Sequence, residues 1–275
     1  MVDPLYIDRN GHRTWLKWHR GRRRISDPAF TGARIIEAMR LGASVEVDLV
    51  IHADHGCAIL HDLRLERETT GQGAVRDTKA EALRKLYLRD DEGTPLPDRV
   101  MLLEDLCALL DRQPPHPDAL LQLDFKEGVA DLGAKTIASF AASVGRHGAH
   151  MILSGGDAEA VRMLAENTPG LRTGYDPCYG ESLARLQSTG DFLDFIDSAL
   201  RTAPDADFIY LSHEIVLAAD QDIVAAVHAE GRRVDAWTIR EVTPSSLSQV
   251  NRLLALKVDQ ITTDDPEGLL AALAS

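Results

Sequence analysis

The segment VEVDL, residues 45–49, alternates apolar and acidic side chains. A period of two is typical of a β-strand, so Val45 and Val47 share one face while Glu46 and Asp48 share the other. The segment therefore predicts a strand with one apolar and one acidic face, and its neighbours along the chain show which kind of sheet it belongs to.

Short, mostly apolar runs of this kind recur along the chain, as expected for parallel strands whose outer faces are covered by helices. The predicted strands are 15–19, 45–49, 120–125, 151–154, 171–175, 207–211, 233–238 and 260–263. Helical patterns follow them, at 31–41, 102–112, 131–147, 157–166, 191–202, 220–230, 243–256 and 265–274. Strands that alternate with helices form a parallel sheet, because each right-handed crossover needs a helix.

Eight strand–helix pairs are the content of an α/β fold of the (β/α)8 TIM-barrel type, which takes roughly 250 residues. A doubly wound sheet is the alternative, although it seldom needs eight pairs. The long gap between the strands 45–49 and 120–125 predicts a small insertion after the second strand, at about residues 55–100, with an extra hairpin at 57–61. We expect one domain over residues 1–275.

The charge balance excludes some classes of partner. The 275 residues include 30 Lys+Arg and 43 Asp+Glu, which gives a net charge of -13. Such a charge disfavours nonspecific binding to nucleic acid and to anionic membranes. No apolar run reaches the roughly 18 residues of a membrane-spanning helix. We expect a small-molecule substrate, no nucleic acid and no stable membrane association; the oligomeric state is left open.

The cysteines indicate a compartment. Cys57, Cys107 and Cys178 are far apart and odd in number, which argues against a disulfide framework or a cysteine-rich zinc site. The N-terminal residues lack the basic start and apolar stretch of a signal peptide. A reducing, cytoplasmic location is therefore expected.

Three acids end neighbouring predicted strands. Glu46 and Asp48 on one face inside a barrel repel each other and lose hydration, and a cation removes that penalty. Asp124 ends the next barrel strand and supplies a third oxygen ligand. Three carboxylates without a nearby cysteine suit Mg²⁺ or Ca²⁺ rather than zinc. The alternative is that all three are ordinary solvent-facing acids.

Two histidines and two cations follow predicted strands as well. His19 and His61 suit a general base and a general acid near neutral pH, although each alone is more often structural. Arg20 and Lys126 are local positive charges suited to phosphate oxygens. Trp237 ends the seventh strand, where it forms either a wall of a substrate pocket or part of the core. Together these residues point to phosphoryl transfer from a phosphodiester, with one histidine activating the nucleophile and the other protonating the leaving alkoxide.

Several motifs occur in a fixed order along the chain. They are His19-Arg20-Gly21, GASVEVD at 42–48, His61-Asp62, LxRxTxGxG at 65–73, VxD at 75–77, Asp124-x-Lys126, Trp237-Thr238 and ITTDDP at 261–266. This ordered set, from about residue 17 to 270, resembles the glycerophosphodiester phosphodiesterase family.

The resemblance implies a (β/α)8 barrel with a segment inserted after the second strand. It implies one divalent cation on Glu46, Asp48 and Asp124, and hydrolysis of a phosphodiester to a polyol or sugar phosphate and an alcohol, in lipid metabolism. It also implies an acid–base pair, phosphate-binding cations and a pocket residue: His19, His61, Arg20, Lys126 and Trp237. The route is left open between direct hydrolysis and attack by a substrate hydroxyl through a cyclic phosphate.

The sequence departs from the family pattern at three places. SDPAFT at 26–31 replaces the usual Pro-Glu-Asn-Thr, and HADHG at 52–56 replaces the usual Thr-x-Asp-Gly. Asp124 stands where Glu is commoner, so the metal must lie closer to that strand or take a bridging water. These changes leave the substrate open between a glycerophosphodiester and a sugar phosphodiester, including the opine (agrocinopine) type. The remaining alternatives are a lyase like the sphingomyelinase D enzymes, which releases a cyclic phosphate, and a non-enzymatic sugar-phosphate-binding barrel.

Overall fold

Eight parallel strands close into a barrel in the computed structural model, which describes residues 3–274. The strands in chain order are β1 (Tyr6–Arg9), β2 (His12–Trp18), β3 (Ser44–Ile51), β4 (Cys57–Ile59), β5 (Tyr87–Arg89), β6 (Pro95–Arg99), β7 (Leu120–Phe125), β8 (Met151–Gly155), β9 (Arg172–Tyr175), β10 (Phe208–Ser212), β11 (Arg233–Ile239) and β12 (Gln260–Thr263). The barrel strands lie in the order β2, β12, β11, β10, β9, β8, β7, β3, and pairing of β3 with β2 closes the ring. The predicted TIM barrel is confirmed, and the doubly wound alternative is wrong because the sheet has no open parallel edge.

Helices surround the barrel. They are α1 (Gly32–Leu41), α2 (Ala80–Leu83), α3 (Leu103–Arg112), α4 (Ala134–Val144), α5 (Ala158–Ala165), α6 (Gly180–Thr189), α7 (Phe192–Thr202), α8 (His213–Ala218), α9 (Ile223–Ala229), α10 (Pro244–Ala255) and α11 (Pro266–Leu273). Side chains that accept backbone N–H groups begin several of them, including Asp157 at α5, Thr243 at α10 and Asp265 at α11. Such caps satisfy amides that have no partner inside the helix.

The register of β3 against β7 brings the acidic residues together. Asp48 lies directly opposite Asp124, and all eight residues of β3 are buried. Because parallel strands of a barrel end at the same rim, side chains at the C-terminal ends of β2, β3 and β7 meet at one face.

The segment between β3 and α3 carries the extra elements. The hairpin expected at 57–61 is present: strand β4 pairs antiparallel with the end of β3. Downstream lie α2 and a second hairpin, formed by β5 and β6. That the chain forms a single domain stays a prediction.

Some elements were not anticipated. Strand β1 pairs antiparallel with β2 around Asn10 and Gly11, both of which have positive φ angles. Helices α6 and α8, which were also not predicted, each have a single buried residue. Within residues 3–274, none of the helices is long and apolar enough to cross a membrane.

Candidate active site

Three carboxylates form a cluster at the C-terminal rim of the barrel. Ligand oxygens of Glu46, Asp48 and Asp124 all lie within 4.8 Å of one another. Glu46 and Asp48 are buried, at 5% and 1% exposure. Burial and the neighbouring Asp48 charge raise the pKa of Glu46 well above its usual range. Like charges this close in a buried place need compensation from cations.

Two cationic side chains supply part of that compensation. Lys126 Nζ lies 2.6 Å from Asp48 Oδ1 and also contacts Asp124, while Arg20 Nε lies 3.2 Å from Asp48 Oδ2. Burial alone would raise the pKa of Asp48, but Lys126 and Arg20 hold it well below its usual range. Arg20 and Lys126, which are predicted to bind phosphate, therefore contact carboxylates that are predicted to bind a metal ion.

Local backbone geometry places Arg20. His19, Arg20 and Gly21 form a 3-10 turn directly after β2, in which Arg20 takes the left-handed conformation with φ of 54°. Its backbone N–H donates to Glu46 Oε2 at 2.8 Å. The strained residue thus ties the end of β2 to the acidic cluster, and such strain concentrates at functional sites.

His19 is buried and held from one side. Its Nδ1 lies 2.6 Å from Asp264 Oδ1, and its Nε2 lies 4.0 Å from Glu46 Oε2. Burial lowers the pKa of His19, although Asp264 acts in the opposite direction. Since a carboxylate only accepts hydrogen bonds, the ring proton sits on Nδ1 and Nε2 carries the free lone pair.

His61 has a matching arrangement on a more exposed segment. Its Nδ1 lies 2.8 Å from Asp62 Oδ1, and Arg67 donates to both oxygens of Asp62. The hydrogen bonds from Arg67 lower the pKa of Asp62 to about 2. Glu68 accepts from the backbone N–H groups of His61 and Asp62, at 2.9 and 2.8 Å. These contacts fix both the ring and the loop that carries it.

Two aromatic side chains line the same cavity as the charged groups and form what we call the aromatic wall. The rings of Tyr179 and Trp237 are nearly parallel, with an angle of 9° and centroids 6.0 Å apart. Within residues 3–274, the buried indole N–H of Trp237 has no hydrogen-bond partner. The aromatic wall therefore combines an apolar face with one hydrogen-bond donor, the indole N–H of Trp237.

All the predicted site residues line one cavity of about 90 Å³: His19, Arg20, Glu46, Asp48, His61, Asp124, Lys126 and Trp237. A groove of about 660 Å³ continues from it and shares His61, Asp124, Lys126 and Tyr179. His19 lines only the cavity, whereas His61 lines both the cavity and the groove. The two histidines thus face different parts of the same space.

Sequence reasoning missed the groups that hold the histidines. Asp264 and Asp62 stand in the ordered motifs, but neither has a predicted role. The hydrogen bond from His19 to Asp264 spans 245 positions, which no local spacing indicates, whereas Asp62 directly follows His61 and was within reach of the sequence. The buried Arg22 also contacts Asp264, at 3.1 Å, and pairs with Asp91 at 2.8 Å. The next residue, Arg23, pairs with Glu37 and Glu267. We therefore assign these arginines mainly a role in stabilising the fold.

The acidic cluster fits a divalent cation by its chemistry. The donors are carboxylate oxygens, and the three cysteines are free and buried. Hard oxygen donors are those preferred by Mg²⁺ and Ca²⁺. A second group of close ligand atoms, His61, Asp62 and Glu68, includes an imidazole, and its acids accept from Arg67 and from backbone amides.

The C-terminal rim of this parallel (β/α)8 barrel carries two histidines, an arginine, a lysine and a carboxylate cluster. This combination is typical of barrel hydrolases that act on phosphate esters. The model of the glycerophosphoryl diester phosphodiesterase family matches residues 19–268. The chain belongs to this family and is a phosphoric diester hydrolase.

Individual proteins show the same relationship. A glycerophosphodiester phosphodiesterase of Caldanaerobacter subterraneus subsp. tengcongensis is 24% identical over 246 residues, covering 88% of this chain and 91% of the relative. A solved protein from Galdieria sulphuraria has a TM-score of 0.75 at 18% identity, covering 95% of this chain and 98% of that one. A phosphodiesterase from Oleispira antarctica, solved with its product sn-glycerol-3-phosphate, has a TM-score of 0.67 at 19% identity, covering 94% and 96%. The structural likeness extends over nearly the whole barrel.

Proposed function

We propose that this phosphodiesterase hydrolyses a glycerophosphodiester to a glycerol phosphate and an alcohol, by acid–base catalysis from His19 and His61. The observation that carries the proposal is the pair of imidazoles on one cavity, each with Nδ1 held by a carboxylate. The name of the Caldanaerobacter relative and the product in the Oleispira structure support the same substrate class.

His19 is suited to the general base. Its pKa is lowered by burial, so the ring is neutral near pH 7, and Asp264 keeps the proton on Nδ1. Nε2 takes the proton of the attacking oxygen, which is either water or a neighbouring substrate hydroxyl. The second route gives a cyclic phosphate that water then opens.

His61 is suited to the general acid. It borders the groove, which has room for the alcohol part of the substrate. As the bond between phosphorus and the leaving oxygen breaks, the proton on His61 Nε2 passes to that oxygen. Asp62 stabilises the imidazolium that acts as the donor.

Arg20 and Lys126 are proposed to bind phosphate oxygens, and Trp237 to face the polyol. Glu46, Asp48 and Asp124 would hold one Mg²⁺ or Ca²⁺ ion, which supplies positive charge to the phosphate oxygens when bound. The small cavity favours glycerol over a sugar on the phosphate side. The three free, buried cysteines agree with the cytoplasmic location that we propose.

The test is turnover of a panel of glycerol and sugar phosphodiesters with Mg²⁺ or Ca²⁺, followed by phosphorus NMR. We expect a phosphomonoester product, loss of activity with a chelator, and loss in His19→Ala and in His61→Ala. His116→Ala is the matched control, because His116 is exposed and lies outside the cavity. Full turnover by both active-site variants would contradict the proposal.

The same experiment separates the alternatives. A product that stops at the cyclic phosphate identifies a lyase. Faster turnover of a sugar diester than of any glycerol diester identifies the opine-type substrate class. Tight binding of glycerol phosphate without turnover of any diester identifies a binding protein.

A further inference from the structure

A chain of hydrogen bonds crosses the barrel interior and ends on Asp124. The Lys17 ammonium donates to Gln122 Oε1, Gln122 Nε2 donates to Ser154 Oγ at 2.8 Å, and Ser154 Oγ donates to Asp124 Oδ1 at 2.6 Å. None of the first three residues has a role in the proposed reaction. They nevertheless end on one of the acids proposed to hold the cation.

Burial makes this chain well defined. Lys17, Gln122 and Ser154 have exposures of 1%, 5% and 0%. Ser154 lies directly opposite Asp124 in the pairing of β7 with β8. Gln122 and Asp124 are two positions apart on β7, so they share the inner face. Bulk water has little access to substitute for a lost partner, and a buried polar group left unpaired is unfavourable.

The direction of every hydrogen bond follows from Lys17. An ammonium group has donors but no acceptor, so the side-chain oxygen of Gln122 must face it. The amide nitrogen of Gln122 then faces Ser154, whose oxygen accepts. Because Ser154 has a single hydroxyl proton, that proton is committed to Asp124 Oδ1.

The ammonium is fixed from its other side. Lys17 Nζ lies 3.0 Å from Asp235 Oδ2, and Asp235 is fully buried. Gln260 and Thr262 donate to the two oxygens of Asp235, at 2.6 and 2.7 Å. Asp235 is itself fixed by these two donors, so it holds the Lys17 side chain in place.

We propose that Ser154, Gln122 and Lys17 are positioning residues for cation binding by Asp124. Ser154 occupies Oδ1 of Asp124, so Oδ2, which accepts from Lys126 in this structure, is the oxygen that a bound cation would share with that ammonium or take from it. A hydrogen-bonded carboxylate has fewer orientations to lose on binding a metal, and partners of this kind often set metal affinity. This inference rests on the proposed cation site.

The same chain could merely stabilise the barrel, and metal binding separates the two roles. The experiment is calorimetric titration of the intact chain with Mg²⁺ and with Ca²⁺, without substrate, together with thermal melts of the metal-free proteins. We expect Ser154→Ala to raise the Kd of the cation by about 10- to 100-fold. Ser154→Thr keeps the hydroxyl, and we expect it to retain most of the affinity.

Ser44→Ala is the matched control. Ser44 is also a buried serine of a barrel strand, but within residues 3–274 its hydroxyl has no hydrogen-bond partner. We expect its Kd to equal that of the unmodified chain. If Ser154→Ala lowers the melting temperature but binds both cations as tightly as the unmodified chain, the positioning role is wrong while the cation site stands. If the unmodified chain binds neither cation, both proposals are wrong.

Discussion

Nδ1 of His19 lies 2.6 Å from Oδ1 of Asp264, across 245 positions of sequence. The bond joins the end of β2 to the residue that follows β12. It commits one nitrogen of the ring and leaves the other toward the cavity. Asp264 is therefore as much a part of the candidate active site as the histidine that it orients.

Replacement of Asp264 tests this orientation. We expect Asp264→Asn to lower kcat/KM by about 10²-fold or more, because the amide no longer selects the tautomer with the proton on Nδ1. Asp265→Asn is the control, since Asp265 caps α11 through the backbone N–H of Gly268 and an asparagine also caps well. Similar kcat/KM values for both variants, measured on one glycerophosphodiester, would refute the role of Asp264.

The pH profile gives a second test. Burial lowers the pKa of His19, so the acidic limb of kcat/KM should lie below pH ~6.5, the ordinary histidine value. The contact with Asp264 raises that pKa, so Asp264→Asn should move the limb to still lower pH. The measurement is kcat/KM between pH 4.5 and pH 8; a limb that moves upward contradicts the assignment.

Asp176 provides a test through stability. Burial raises its pKa to about 8, although its Oδ1 accepts the N–H of Cys178 at 2.8 Å. Between the unfolded pKa of roughly 3.9 and the folded value, the folded state binds more protons, so stability falls as pH rises. Asp176→Asn keeps the acceptor and removes the titration.

We therefore expect Asp176→Asn to gain stability relative to the unmodified chain as pH rises from 4 to 8. The slope is at most about 1.4 kcal/mol per pH unit. Chemical unfolding at several pH values measures it, and curves that stay parallel would show that Asp176 does not titrate in this window.

Trp237 tests the pocket wall. Trp237→Phe keeps an aromatic face against Tyr179 but removes the indole N–H that has no partner within residues 3–274. If that donor binds a substrate oxygen, KM should rise about 3- to 10-fold with a smaller change in kcat. Trp15→Phe is the control, because Trp15 packs against Tyr6 at the hairpin of β1 and β2. Equal KM values for the two variants would show that the indole N–H of Trp237 does not bind the substrate.

Arg67 tests how His61 is held. Arg67 donates to both oxygens of Asp62, whereas the nearby Arg64 pairs with Glu66. Arg67→Gln should lower kcat by about 3- to 10-fold, because Asp62 then orients the imidazole less well. Arg64→Gln should leave kcat unchanged. The role of Arg67 is wrong if steady-state kinetics give the two variants the same kcat.

The barrel strands were predictable because a parallel strand covered on both faces is a short apolar run. The predicted strand 45–49 lies inside β3, and the predicted strand 260–263 matches β12. Strand β1 was also within reach, since Asn10-Gly11 is a strong signal for a hairpin turn. Helices α6 and α8 were harder to predict, because each buries a single residue and α8 is only six residues long.

The residues of the candidate site also fall into those that the sequence could predict and those that it could not. Side chains at strand ends, such as Glu46 and Lys126, could be found because the barrel rule says where to look. Asp264, Gln122 and Ser154 act through contacts between distant segments, and no local spacing encodes those contacts. Their roles emerge only from the folded geometry.

The contacts of Lys126 and Arg20 with the acidic cluster imply an order of events. Three carboxylates face two cationic side chains, so the site carries an excess of negative charge once Glu46, whose pKa is raised, has lost its proton as well. A phosphodiester, which is an anion, is repelled by that excess. With a divalent cation bound, the balance reverses to one positive charge, which a single phosphodiester neutralises. Binding should therefore be sequential, with the cation before the diester.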